Sequence, residues 1–209
     1  MDTATLPRTR THFPDWLFWL SWVAASTAAI LLGSGMMYAL IFLAKAVLPG
    51  INEDRLFGGL MFSVLGAVLG ALQWLVLRTR LPRSGWWVLA TGAGMLIGVA
   101  LGGGIVQAIS RITGQPWGWT SQPGILLLYI LIGLSLAMAQ LAVLWRRITS
   151  PVLWLLASMV GWLVLGLIMG NSIDRTSDIL ALGVVPAAFT GFALIRLIRT
   201  PCAQPSDSA

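Results

Sequence analysis

The sequence predicts an all-α membrane protein with six transmembrane helices. Of its 209 residues, 57% are hydrophobic and only 10% are charged, whereas about 25% are charged in an average soluble domain. The charged residues are confined to short breaks between six long apolar runs. A run of about 20 apolar residues crosses the hydrocarbon core of a bilayer. Since the six runs take up nearly the whole chain, little remains for a soluble domain.

The first apolar run extends from Trp16 to about Leu48. It follows Pro14 and Asp15, which suit a first helical turn because proline lacks an N–H and a carboxylate meets the positive end of the helix dipole. Trp19 and Trp22 lie where an interfacial belt of aromatic residues is expected. The run is longer than a bilayer requires, so the helix should tilt or project from the membrane.

Proline, glycine and charged residues bound the other five helices. Pro186 lies inside the last helix and predicts a kink there. The domain division is a tail at 1–15, a transmembrane domain at 16–199 and a tail at 200–209. The predicted helices after the first are 56–77, 86–109, 125–145, 151–170 and 179–198.

The distribution of basic residues predicts the orientation in the membrane. The amino-terminal tail, the carboxyl end from Arg196 onward and the loops after the second and fourth helices hold nine Lys and Arg residues, and the other three loop regions hold four. Cytoplasmic segments carry the excess of positive charge. We therefore expect a multi-pass protein of the cytoplasmic membrane with both termini in the cytoplasm.

A helical hairpin recurs along the chain. Residues of 66–94 match residues 67 positions later, and weaker matches extend to the first and last helices. The predicted hairpins are 16–77, 86–145 and 151–198. They would all enter the membrane from the same side, as three tandem parallel repeats about a pseudo-threefold axis along the membrane normal. The clearest matched pairs are Gly66 with Gly133, Gln73 with Gln140, Trp87 with Trp154, and Thr91 with Ser158.

The Gln-Trp-Leu-Val-Leu-Arg run at 73–78 and the Trp-Trp-Val-Leu-Ala-Thr run at 86–91, with Leu-Pro-Arg between them, resemble a family of bacterial multi-pass membrane proteins rich in Gly and Trp, whose activity is uncharacterised. The resemblance covers mainly residues 60–165. It implies a multi-pass helical architecture and adds no functional residue.

Each predicted helix contributes one polar residue to a common depth. Gln73 lies about five residues from the end of its helix, and Thr91 about five from the start of the next. At 1.5 Å per residue, both lie roughly 7 Å below the cytoplasmic surface. Such side chains either join helices by hydrogen bonds or line the floor of a cavity. The predicted polar layer consists of Ser26, Gln73, Thr91, Gln140, Ser158 and Thr190.

No Asp, Glu or His lies deep in a predicted span, and Lys45 lies near a helix end. The single histidine, His12, and the single cysteine, Cys202, lie in the tails. The sequence thus predicts no catalytic residue, no metal site and no cofactor. The net charge of +6 is explained by basic residues beside the spans, so we expect the lipid bilayer, and not nucleic acid, as the partner.

These observations favour a non-catalytic integral membrane protein, an accessory or scaffold subunit that packs against other membrane protein subunits. The alternative is a small-solute transporter or a substrate-binding membrane component of one. A membrane enzyme ranks third because no acid–base pair is visible. The sequence alone does not separate a structural polar layer from a ligand-binding one.

Overall fold

A computed structural model describes residues 14–47, 53–81, 84–115, 117, 121–148, 150–170 and 175–199. The predicted tails, apart from Pro14 and Asp15, lie outside the described residues. The described part is helical, with no strand in it. The helices are α1 (Asp15–Val47), α2 (Glu53–Leu77), α3 (Trp86–Thr113), α4 (Gln122–Leu144), α5 (Pro151–Met169) and α6 (Arg175–Arg199).

Five of these helices are long and apolar enough to cross a membrane, namely α1, α3, α4, α5 and α6. The prediction of several membrane-length helices is therefore confirmed. For α2, the side chains of residues 53–61 lie outside the described set, and its described apolar part, Phe62–Leu77, is shorter. α6 runs through Pro186 as one helix.

The six helices form a closed ring. Each helix packs against its neighbours in the chain, and α6 packs against α1, while no other pair of described helices is in close backbone contact. Successive helices run antiparallel. Along α3 and α4, for example, Gly94 faces Leu136 and Gly102 faces Leu128. The ring therefore has an interior that all six helices surround.

Small residues set the spacing between neighbouring helices. A Cβ atom added to Gly98 would lie 2.7 Å from the Cα of Ile132, and one added to Gly94 would lie 2.8 Å from the Cα of Leu136. Both distances are too short for real atoms, so only glycine permits this approach of α3 to α4. Close packing of small residues is a main source of helix association in lipid.

α1 extends beyond the packed part of the ring. Its 33 residues correspond to about 50 Å at 1.5 Å per residue, whereas a hydrocarbon core is about 30 Å thick. Its last buried residue is Gly33, and none of the residues from Ser34 to Val47 is buried. The apolar side chains Phe42 and Leu43 in this part are 77% and 58% exposed.

The turn after α2 is joined to the start of α1. An Arg80 guanidinium nitrogen lies 2.8 Å from a carboxylate oxygen of Asp15, and the guanidinium lies 4.4 Å above the Phe18 ring. Burial lowers the pKa of Arg80, but an arginine stays protonated throughout the physiological range. This contact ties the first hairpin together at the end of the ring where the polar layer lies.

A buried polar layer as the candidate functional site

The six residues of the predicted polar layer are all buried, and each comes from a different helix. Their exposed fractions run from 0% for Thr91 and Ser158 to 7% for Thr190. Because unpaired polar groups are costly in an apolar interior, their hydrogen bonds decide what the layer can do. In order from α1 to α6, the residues are Ser26, Gln73, Thr91, Gln140, Ser158 and Thr190.

Gln73 connects three helices. Its Nε2 donates to Ser26 Oγ on α1 at 3.0 Å, and its Oε1 accepts from Trp87 Nε1 on α3 at 3.2 Å. Both ends of the carboxamide are thus hydrogen-bonded inside the protein. Gln73 thus joins helices by hydrogen bonds, which is one of the two roles that the sequence leaves open for the layer.

Gln140 makes the corresponding bond on one side. Its Nε2 donates to Thr91 Oγ1 on α3 at 3.1 Å. The indole of Trp154 lies on the following helix, as Trp87 does relative to Gln73, and it is fully buried. Its Nε1, however, has no hydrogen-bond partner among the described residues.

Thr190 and Ser158 complete the layer without bonding to each other. Thr190 Oγ1 accepts from Trp22 Nε1 at 3.2 Å and donates to the carbonyl oxygen of Pro186 at 2.8 Å. Ser158 Oγ donates to the carbonyl oxygen of Gly133 at 3.4 Å, which is long for a hydroxyl hydrogen bond. The hydrogen bond of Ser158 is therefore the longest that the layer residues make with a neighbouring helix.

Three tryptophans pack together beside the layer. Trp22 and Trp87 have ring centroids 5.9 Å apart with an interplanar angle of 68°, and Trp87 and Trp154 repeat both values. Edge-to-face packing of this kind is favourable for aromatic rings. All three side chains are fully buried, so the expectation that Trp22 belongs to an interfacial belt is wrong.

These tryptophans are not among the residues that the sequence predicts for the polar layer. The signal was present, because each precedes a layer hydroxyl by four residues: Trp22 with Ser26, Trp87 with Thr91, and Trp154 with Ser158. Residues four apart lie on the same face of a helix. A tryptophan at such a position faces the interior together with the hydroxyl.

A small cavity adjoins the layer inside the ring. Five of the six helices line it, and five of the six layer residues do so, Thr91 being the exception. The space available to the centre of a water-sized sphere is about 20 Å³. A cavity needs about 10–15 Å³ of such space to hold one water molecule. The cavity therefore accommodates a molecule of about that size and not an organic solute.

The chemistry of the layer is that of uncharged hydrogen-bond donors and acceptors. In the described part of the chain, the buried polar side chains belong to serine, threonine and glutamine, and no group of three His, Cys, Asp or Glu residues is placed to hold a metal ion. The layer can hold helices together or bind a small neutral molecule.

Comparison with protein-family models, curated proteins and solved structures finds no match. The class of protein is therefore defined by the structure alone. It is a helical protein in which five described helices are long and apolar enough to cross a membrane, arranged with α2 in a ring around buried tryptophans and a polar layer.

Proposed function

We propose that the chain is a non-catalytic, six-span membrane protein, built from three tandem hairpins, and that it serves as an accessory or scaffold subunit of a larger membrane complex. It acts through contact with other membrane protein subunits. Both termini lie in the cytoplasm, in accord with the nine basic residues at the two chain ends and in two of the loops against four elsewhere.

The contacts between helices support the three-hairpin arrangement. The contact of Gly33 with Leu65 in the first hairpin has its counterpart in that of Gly98 with Ile132 in the second.

Contacts between successive hairpins also correspond. Gly66 contacts Met95, and Gly133 contacts Trp162. Gly133 follows Gly66 by 67 positions, and Trp162 follows Met95 by the same number. Likewise, Gly94 meets Leu136 and Ala139, and Gly161 meets Pro186 and Phe189. Positions that match in sequence thus make matching contacts.

The observation that carries the scaffold proposal is that the hydrogen bonds of the polar layer join neighbouring helices. Both ends of the Gln73 carboxamide are bonded to neighbouring helices, and Gln140 and Thr190 also make interhelical bonds. A donor or acceptor that is already used inside the protein must release its partner before it can bind a substrate. Because the layer uses these donors and acceptors to join helices, a structural role is favoured.

The extended part of α1 supplies a surface for the partner. From Ser34 to Val47 none of its residues is buried, and α1 is about 20 Å longer than a bilayer core. Apolar side chains beyond the core need a protein surface, since water would meet them there. We assign the contact with the larger subunit to this segment.

Native mass spectrometry after extraction in a mild detergent tests the proposal. The wild-type chain is expected in a stoichiometric complex, and Phe42→Ala with Leu43→Ala should release it. The control is Leu153→Ala with Leu156→Ala on α5, where Leu156 is 54% exposed, and this variant should keep the complex. A wild-type chain that is recovered alone, or equal loss in both variants, contradicts the proposal.

Small-solute transport is the second candidate, and the cavity is the observation that favours it. The cavity is lined by Gln73, Gln140 and Ser158, the kind of polar group that orients a neutral solute. Its size is that of a water molecule, so transport of anything larger requires the layer to open. Uptake by reconstituted protein decides between the two candidates.

A further inference from the structure

We infer that the interior cavity is a binding site for one small uncharged hydrogen-bonding molecule of the size of water, held where the third hairpin lacks a glutamine carboxamide. The inference uses the hairpin correspondence proposed above and is independent of the scaffold activity. Water itself is the occupant in the resting protein.

Comparison of the three hairpins shows where the third one lacks a glutamine carboxamide. In the first two hairpins a glutamine on the even-numbered helix donates to a hydroxyl on the odd-numbered one, as Gln73 does to Ser26 and Gln140 to Thr91. At the matching position of the third hairpin stands Thr190, and the matching hydroxyl is Ser158. Thr190 accepts from Trp22, as Gln73 does from Trp87, but it is too short to reach onward to Ser158.

The cavity lies at this gap. Thr190 and Ser158 both line it, as does Trp22. A threonine is smaller than a glutamine by roughly the volume of a water molecule, about 30 Å³ in the liquid. The space of about 20 Å³ available to a water centre exceeds the roughly 10–15 Å³ that one water molecule needs by the same measure, so the gap beside the shorter side chain is large enough for a water molecule.

Three polar groups around the cavity have hydrogen-bonding capacity left for an occupant. Ser158 Oγ can accept a bond in addition to the long one that it donates to Gly133. The carboxamide of Gln140 also lines the cavity, and its oxygen is an acceptor. The third is the backbone carbonyl of Leu182, a residue that also lines the cavity; Pro186, four residues later, has no N–H to donate to this carbonyl. Buried waters make about three hydrogen bonds of this kind.

The lining also sets the charge of the ligand. The polar side chains around the cavity are hydroxyls, carboxamides and the indoles of Trp22 and Trp162, and none of them carries a charge that would compensate an ion. Transferring an unpaired ion into such a site is far more costly than transferring a neutral molecule. The site therefore takes water or a neutral molecule of similar size and hydrogen-bonding capacity.

The test compares wild type with Thr190→Gln and Thr190→Val in structures at a resolution that shows ordered waters. Wild type should show one density peak within hydrogen-bond distance of Ser158 Oγ. Thr190→Gln should have no such peak, because its carboxamide accepts from Trp22, donates to Ser158 and fills the space. It should also unfold at a higher temperature than wild type. Thr190→Val, which keeps the shape of threonine and lacks the hydroxyl, should keep the cavity and unfold at a lower temperature.

The outcomes separate this site from the proposals on which it rests. A wild-type cavity without density at that resolution overturns the inference, even if the new glutamine makes both bonds and so supports the hairpin correspondence. A glutamine side chain that points away from Ser158, with the wild-type peak retained, overturns the claim that the cavity replaces a carboxamide. Neither outcome bears on whether the chain joins a larger complex.

Discussion

At the scale of single residues, the interior depends on a few hydrogen bonds between indoles, carboxamides and hydroxyls. Trp87 donates to Gln73, whereas Trp154, which is equally buried, has no partner among the described residues. The two tryptophans share their burial and their edge-to-face contact with each other. They differ in the Gln73 hydrogen bond and in the second edge-to-face contact, which Trp87 makes with Trp22, so they form a closely matched pair.

The first prediction uses this pair. Trp87→Phe and Trp154→Phe remove the same volume from a fully buried site, but only Trp87→Phe leaves the Gln73 carboxamide oxygen without its donor. We expect Trp87→Phe to be the less stable variant by about 1 kcal/mol, within the usual net value of a hydrogen bond. Thermal or denaturant unfolding in detergent measures the difference. Equal loss in the two variants would show that the Trp87 bond contributes nothing.

Much of the polar layer could be predicted from the sequence at this scale. Ser26, Gln73 and Thr91 stand out because a polar side chain is rare within an apolar run, and their distances from the helix ends give their depth. The partners of these residues could not be predicted. Trp22 and Thr190 are 168 positions apart, and only the closure of the ring brings them together.

At the scale of the helices, glycine determines which faces approach. Gly98 lies against the backbone of Ile132, with 2.7 Å between an added Cβ and the Ile132 Cα. Gly103, on the same helix, has nothing within 4 Å of an added Cβ. Glycine is therefore required for close helix packing at Gly98, whereas a larger side chain fits at Gly103.

The second prediction compares these two glycines. Gly98→Ala forces α3 away from α4 and should destabilise the protein by about 1–3 kcal/mol, the usual cost of overpacking. Gly103→Ala should be neutral or stabilising by up to about 1 kcal/mol, because alanine favours the helix more than glycine does. Unfolding of both variants in the same detergent gives the comparison. Two equally destabilised variants would contradict the close approach of α3 to α4.

The helix bounds follow the sequence closely where proline or glycine ends a run, as at Pro151 for α5. They differ where such a signal is weak. α3 continues to Thr113 and α6 begins at Arg175, each four residues beyond its predicted bound, because polar residues such as Arg111 and Asp178 are tolerated in the terminal turns of a helix. The central position of Trp22 was missed because an aromatic residue near a helix start is equally typical of a membrane interface.

At the scale of the whole molecule, the contact between α1 and α6 closes the ring. A pseudo-threefold arrangement predicts that the first and third hairpins meet, but it does not predict which residues make the contact. In the structure, Gly183 of α6 packs against Thr27 of α1, and Trp19 donates to the carbonyl oxygen of Ala188 at 3.0 Å. These contacts span nearly the whole chain, and no local pattern encodes them.

The third prediction concerns the orientation of the ring in the membrane. Both termini are expected in the cytoplasm, so the native Cys202 should not react with a membrane-impermeant maleimide in intact cells and should react after lysis. A control chain with Cys202→Ser and Gln115→Cys places the only thiol in the loop after α3, where Gln115 is exposed. This thiol should react in intact cells. The reverse pattern would invert the topology.

Flux through reconstituted protein tests the central claim, the structural role of the polar layer, most directly. Wild type and Gln140→Leu are each placed in lipid vesicles, and proton and sodium movement is recorded under an imposed gradient of each ion. Since Gln140 is bonded to Thr91 inside the ring and the polar groups around it are uncharged, neither protein should move ions faster than empty vesicles. Ion flux through wild type that Gln140→Leu abolishes would contradict a structural layer and establish a transport path through the ring.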